Sequence, residues 1–124
     1  MPGEAVLDCG PLMIHLMKSA MKSIDVGTLQ RQMGEGATTL LDVRNADELA
    51  IAALPGARHI PLDQLMDRMA ELNPAAPIAV LCHHGMRSHM AALMLLRAGF
   101  EDVSNVEGGI DAWSLRIDPA VARY

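Results

Sequence analysis

The stretch Ile78-Ala79-Val80-Leu81-Cys82 constrains the fold of this chain more than any other. Four apolar residues in a row, two of them β-branched, predict a short buried strand. Cys82 closes the run, and a six-residue segment from Cys82 to Arg87 follows it. Ser88 is a good N-cap, and His89 to Ala98 reads as the next helix. Gly99 is placed as its C′ stop, with Phe100 just beyond. A cysteine therefore sits between a strand's carboxyl end and a helix's amino end. In open α/β sheets this is where ligands bind. Loop N–H groups and the helix dipole favour an anion there.

The same setting bears on the thiol. Helix N-termini and nearby cations favour the thiolate, which is the nucleophilic form. Arg87, His83 and His84 all border the loop. Cys82 is thus the candidate for covalent catalysis. Cysteines are also common as inert buried apolar residues, and the strand–loop–helix position is what favours the reactive reading.

The rest of the chain repeats the alternation. Leu12, Met13, Leu16, Met17, Ala20 and Met21 recur at helical spacing, with His15, Lys18, Ser19 and Lys22 on much of the other face. Residues 1–22 thus read as an N-terminal extension, helical in part, that either packs on the domain or meets a partner. Ile24-Asp25-Val26 reads as extended, and Gly27 to Met33 as a short helix closed by Gly34 and Gly36. Thr39 to Val43 is a core strand. Asn45, with Glu48 three residues on, forms a capping-box pattern for a helix to about Ala53, before Pro55-Gly56. Ala57 to Ile60 is a short strand stopped by Pro61, and Asp63 caps a helix through about Leu72. Val103 to Val106 is the last strand, and Gly108-Gly109 leads into a helix carrying Trp113. Trp113 reads as a packing residue. Strands and helices alternating at these intervals predict an α/β fold, a mostly parallel sheet with helices on both faces.

Composition narrows the function. The net charge of −5 does not suggest a nucleic-acid or anionic-membrane surface. No apolar run approaches the roughly 20 residues that span a bilayer, and the basic start of a signal peptide is missing. Two cysteines, Cys9 and Cys82, make no disulfide framework, so a reducing cytoplasm fits. With three aromatic residues, the core must be built from Leu, Met, Ala, Ile and Val. Cys9 reads as an incidental thiol, or as a partner for an oxidised Cys82.

From Ser23 to Tyr124 the chain resembles a single rhodanese domain. The resemblance is carried by Leu40-Leu41-Asp42-Val43-Arg44 with Glu48, by Pro55-Gly56-Ala57 and by Ile60-Pro61-Leu62. The loop Cys82-His83-His84-Gly85-Met86-Arg87-Ser88 and the tail Val106-Glu107-Gly108-Gly109-Ile110-Asp111-Ala112-Trp113 complete it. The ending Ile117 to Tyr124 also resembles the close of rhodanese domains appended to E1-like adenylyltransferases. The resemblance implies a sulfurtransferase in which Cys82 takes the outer sulfur of thiosulfate or a persulfide and passes it to cyanide, a thiol or a sulfur-carrier protein. Loop N–H groups from His83 to Ser88 would cradle the anionic persulfide sulfur. Gly85 would permit the turn, and Arg87 would hold donor and loop. Asp42 takes a supporting role near the site. Arg44 and Glu48, four apart, read as an exposed ion pair worth about 0.3–0.5 kcal/mol.

Three alternatives stand beside this reading. Cys82, His83, His84 and His89 are soft ligands within eight residues. Adjacent histidines in a tight loop diverge, however, so no native metal and no cofactor is expected. A thiol phosphatase or arsenate reductase also uses a Cys…Arg loop, but one residue longer than the Cys82–Arg87 segment. A non-enzymatic sulfur-carrier or regulatory module would use the same loop without fast turnover.

Overall fold

A computed structural model describes residues 20–124. The sheet has five strands: β1 (Lys22–Ile24), β2 (Thr39–Asp42), β3 (Arg58–His59), β4 (Ile78–Leu81) and β5 (Val103–Val106). The helices are α1 (Val26–Glu35), α2 (Ala46–Ile51), α3 (Leu65–Arg68), α4 (Met86–Arg97) and α5 (Gly109–Arg116). Two 3₁₀ turns, Leu62–Gln64 and Met69–Glu71, flank α3. Every strand pairing is parallel, in the order β1-β5-β4-β2-β3.

β4 lies at the centre, and all four of its residues are buried. Its alternation splits the core in two. Val80 and Cys82 join Leu41, Ala91, Leu95, Phe100 and Val103 on one face of the sheet. Ala79 and Leu81 join Val26, Leu29, Leu40, Val106 and Ile110 on the other. An uninterrupted apolar run is what a strand covered by helices on both faces requires. Trp113 packs on the second cluster, partly buried.

Local signals set several boundaries. Gly99, at φ 100°, ends α4. Its N–H bonds the Leu96 carbonyl while Phe100 N–H bonds that of Leu95, both at 3.1 Å, the paired pattern of a Schellman stop. The Glu48 carboxylate accepts Asn45 N–H at 3.0 Å, one half of the expected capping box.

Four expectations need correction. Val26 is not extended: Asp25 accepts Thr28 N–H at 2.8 Å and starts α1 there, which buries Val26. The stretch after Pro61 is a short helix between two 3₁₀ turns, and Asp63 lies within the first turn instead of capping a helix. Ser88 does not cap α4, because Gly85 at φ 109° turns the chain into the helix three residues earlier. The first strand also takes Lys22, the last residue of the stretch read as an extension. The helical spacing before Ala20 and Cys9 lies outside the described residues. Met21 packs on the first core cluster. No helix among the described residues is long and apolar enough to cross a membrane.

Candidate active site

Cys82 follows the end of β4 and is buried. Gly85 N–H donates to its Sγ at 3.0 Å. Gly85 is the left-handed N-cap of α4, so the turn that begins the helix also aims a backbone donor at the sulfur. The N–H groups of Met86, Arg87 and Ser88 open the helix and have no acceptor among the described residues. Cys82 thus takes one backbone N–H, and the turn that follows carries three uncommitted donors.

Ser88 lies within the first turn of α4 and is fully buried. Its hydroxyl is 3.3 Å from Cys82 Sγ and donates to Asn105 Oδ1. Asn105, on β5, returns an amide N–H to the Gly85 carbonyl at 3.2 Å. Asn105 escapes a reading of the sequence, because it lies in an ordinary strand and reaches the loop only through the β4–β5 pairing.

The loop is braced from behind by α5. Ile110 N–H donates to the Cys82 carbonyl at 2.9 Å, and Asp111 N–H to that of His83 at 3.2 Å. A Cβ on Gly109 would overlap both of those carbonyl oxygens, and Gly109 is also at φ 59°. Glycine here permits a close approach of two backbones, which the sequence shows only as the start of a helix.

Charges near the loop are arranged differently from the sequence expectation. Arg44 and Glu48 do not form an exposed pair. Arg44 is 0% exposed and turns to Asp42, with Nη2 2.6 Å from Oδ2 and Nε 3.0 Å from Oδ1. Arg44 N–H also donates to Asp42 Oδ1, which fixes the chain just beyond β2. Glu48 faces α4 and takes both Arg87 nitrogens, at 2.6 and 2.7 Å. That bond to Arg87, more than any other contact, holds the Glu48 carboxyl down at about 2. The same contact raises the Arg87 pKa. Arg87 therefore fastens the loop's helix to α2 and does not stand free as a cation. Arg87 is the second residue of α4, so the contact ties the first turn of that helix.

His83 is sandwiched between two rings. Tyr124 stacks on it at 3.9 Å between centroids and 7° between planes, and His84 at 3.9 Å and 27°. His83 Nε2 is buried with no hydrogen-bond partner. One ligand atom each from His83, His84 and Asp111 lies within 4.8 Å of the others. The two histidines do not diverge as expected of neighbours in a tight loop, because their rings stack on each other. Arg123 also bonds Asp111 Oδ1 at 2.9 Å. His89 is not in this group; Met86 and His84 are exposed at the rim.

The chain and its fold have counterparts among known proteins. The family model for the rhodanese-like domain matches residues 25–116. The chain belongs to the rhodanese family. The chain is 34% identical over 83 residues to thiosulfate sulfurtransferase GlpE of Pseudomonas paraeruginosa, covering 67% of this chain and 76% of that one. It is 39% identical over 85 residues to the putative sulfur carrier protein YrkF of Bacillus subtilis, covering 68% of this chain and 46% of that one. Rhodanese-like/PpiC domain-containing protein 12 of Arabidopsis thaliana is 37% identical over 124 residues, and the match spans 90% of this chain but 42% of that protein. The chain thus spans less than half the length of two of these relatives. Among solved structures, a rhodanese-like domain protein from Staphylococcus aureus superposes with a TM-score of 0.72 at 31% identity, covering 84% of this chain and 99% of that one. At the level of the family, the chemistry of such a rhodanese site is sulfur transfer.

Proposed function

We propose that residues 23–124 form a sulfurtransferase domain that carries sulfane sulfur as a persulfide on Cys82. The observation that carries the reading is the nest: Gly85 N–H already bonds Sγ, and three further donors open toward the same end of α4. With thiosulfate, the Cys82 thiolate attacks the outer sulfur, the S–S bond of the donor breaks, and sulfite leaves with the electron pair. The product is Cys82–S–S⁻. Its terminal sulfur is anionic and needs donors in place before the charge arrives. Cyanide then attacks that sulfur, leaves as thiocyanate and restores the Cys82 thiolate. A thiol or a sulfur-carrier protein takes the sulfur by the same displacement.

His83, His84, Gly85, Met86, Arg87 and Ser88 are the donor-binding loop in this reading, and Asp42 supports it by holding Arg44. Arg87 acts by holding α4 to α2, since Glu48 takes its guanidinium. Partners are small sulfur donors and acceptors and a thiol protein. The cycle requires a free thiol and suits a reducing cytoplasm.

Intact-protein mass after incubation with thiosulfate tests the reading. Wild type is expected to gain one sulfur atom, which cyanide removes, and Cys82→Ser to gain none while keeping its fold. Gain on Cys82→Ser would refute the assignment. The similarity to a putative sulfur carrier favours a second reading, in which loading is stoichiometric and release to cyanide is slow. A gain on Cys82 that cyanide leaves in place would select it.

A further inference from the structure

The family model stops at residue 116, yet the chain beyond it returns to the catalytic loop. After α5, Asp118 N–H bonds the Trp113 carbonyl at 3.0 Å, and Val121 N–H bonds that of Asp118 at 3.1 Å. Val121 packs on the second core cluster. Arg123 Nε then ties the segment to Asp111 at 2.9 Å. Tyr124 comes to lie flat on the His83 ring.

Tyr124 also joins the two ion pairs. Its hydroxyl donates to Glu48 Oε1 at 3.0 Å and accepts from Arg44 Nη1 at 2.9 Å. Glu48 in turn holds Arg87 at the start of α4, and Arg44 holds Asp42 at the end of β2. One side chain therefore touches the residue after Cys82 and both charged clasps that flank the loop.

His83 supplies an independent observation. Its Nε2 is buried without a partner, which opposes the placement of that ring. A ring that loses hydration in its seat stays there only if something holds it. The stacked Tyr124 and His84 rings are what hold it.

We propose that Tyr124 is a positioning residue for sulfur transfer: its ring pins His83, and its hydroxyl locks that pin to Arg44 and Glu48, so that the loop's N–H groups stay aimed at the Cys82 sulfur. The proposal deepens the Cys82 reading and rests on it for the reaction, not for the geometry. Misplacing a reacting group by a fraction of its contact distance is enough to slow chemistry strongly.

The test uses the full chain in a Cys9→Ser background, with Tyr124→Phe, Tyr124→Ala and Tyr124→Leu. Three quantities are read: imidazole ¹H–¹³C shifts of His83, the alkylation rate of Cys82 by iodoacetamide, and kcat and KM for sulfur loading from thiosulfate. Tyr124→Ala and Tyr124→Leu are expected to lose the ring-current shift of His83, to change Cys82 alkylation by about threefold or more, and to lower kcat about 10-fold with KM moved less than about twofold. Tyr124→Phe keeps the ring-current shift and loses about threefold in kcat. Tyr124→Leu fills the space without a flat aromatic face and serves if Tyr124→Ala does not fold. Unchanged His83 shifts in Tyr124→Ala and Tyr124→Leu, or alkylation and kcat within about twofold of wild type in those two variants, overturn the proposal. If wild type takes no sulfur from thiosulfate, the donor reading fails, while the His83 shifts and the alkylation rate still decide the clamp.

Discussion

Two helices of this chain begin alike and end up with opposite tasks. Both α4 and α5 follow a central strand and start from a left-handed glycine, Gly85 at φ 109° and Gly108 at φ 75°. At α4 one donor is on the thiol and three are uncommitted: Gly85 N–H bonds Sγ, and those of Met86, Arg87 and Ser88 have no acceptor among the described residues. At α5 the equivalent donors are spent on backbone, Ile110 on Cys82 and Asp111 on His83. A helix amino end attracts an anion only while its N–H groups are uncommitted. The α5 start therefore makes a scaffold, and what it scaffolds is the loop in front of α4. The helix start beside Cys82 is the one with hydrogen bonds that remain to be made.

This difference predicts opposite balances between stability and activity. The largest effect is expected at the scaffold. Gly109→Ala drives a Cβ into two carbonyl oxygens and holds alanine at positive φ, so thermal or urea unfolding should show a loss of about 2–4 kcal/mol. Loading of Cys82 falls with it. If Gly109→Ala were as stable as wild type, the bracing role of α5 would be wrong.

Gly85→Ala should show the reverse balance. The Cβ has room, with Gly108 N at 3.5 Å, but φ 109° is strained for alanine. A stability cost of about 1–2 kcal/mol should accompany a loss in loading rate of about 10- to 100-fold, as the donor to Sγ shifts. Single-turnover loading set against the unfolding midpoint separates the two effects.

Glu48→Gln tests the clasp between α2 and α4. The Arg87 guanidinium loses its charged partner, and a stability loss of about 1–2 kcal/mol at neutral pH is expected. The folded-state value of about 2 lies below the ordinary 4.5, so the carboxylate's contribution is complete above about 4.5 and is lost as pH falls through about 2. Acid titration of stability should therefore be flatter in Glu48→Gln than in wild type across that window. A parallel pair of curves would remove the clasp from the account.

The smallest effect serves as the reference. Gly36 caps α1 at φ 75° with nothing near its missing Cβ. Gly36→Ala should cost about 1 kcal/mol by conformational strain alone, with sulfur loading unchanged. A loss of loading here would mean that positive-φ glycines act on activity through global stability, which would erase the contrast between Gly85 and Gly109.

The parts of this molecule that were legible in the sequence are those set within a few residues. The buried run Ile78–Leu81 gave the central strand. Its position before a loop and a helix gave Cys82 as the nucleophile candidate. Gly99 stopped α4 as expected, and Val103–Val106 is the last strand with the bounds its pattern predicts. Backbone dihedrals and side-chain periodicity decide such features, and both are local. Ser88 is the instructive miss: a good capping residue was present, but a left-handed Gly85 starts the helix before it. The charged residues were legible only as a set. Arg44 and Glu48 have the spacing of a helical pair, yet their partners are Asp42 and Arg87. Arg87 and Glu48 are 39 residues apart, and Tyr124 meets Arg44 across 80. Partner choice at such separations follows from which strand lies beside which and which helix face turns inward. The sequence by itself determined an α/β sheet with a cysteine at its carboxyl edge, because apolar period and turn chemistry act within one element. Only the tertiary structure decided which donors reach the sulfur, which backbone braces the loop and which ring seats His83, because those depend on surfaces that exist only after the elements have packed.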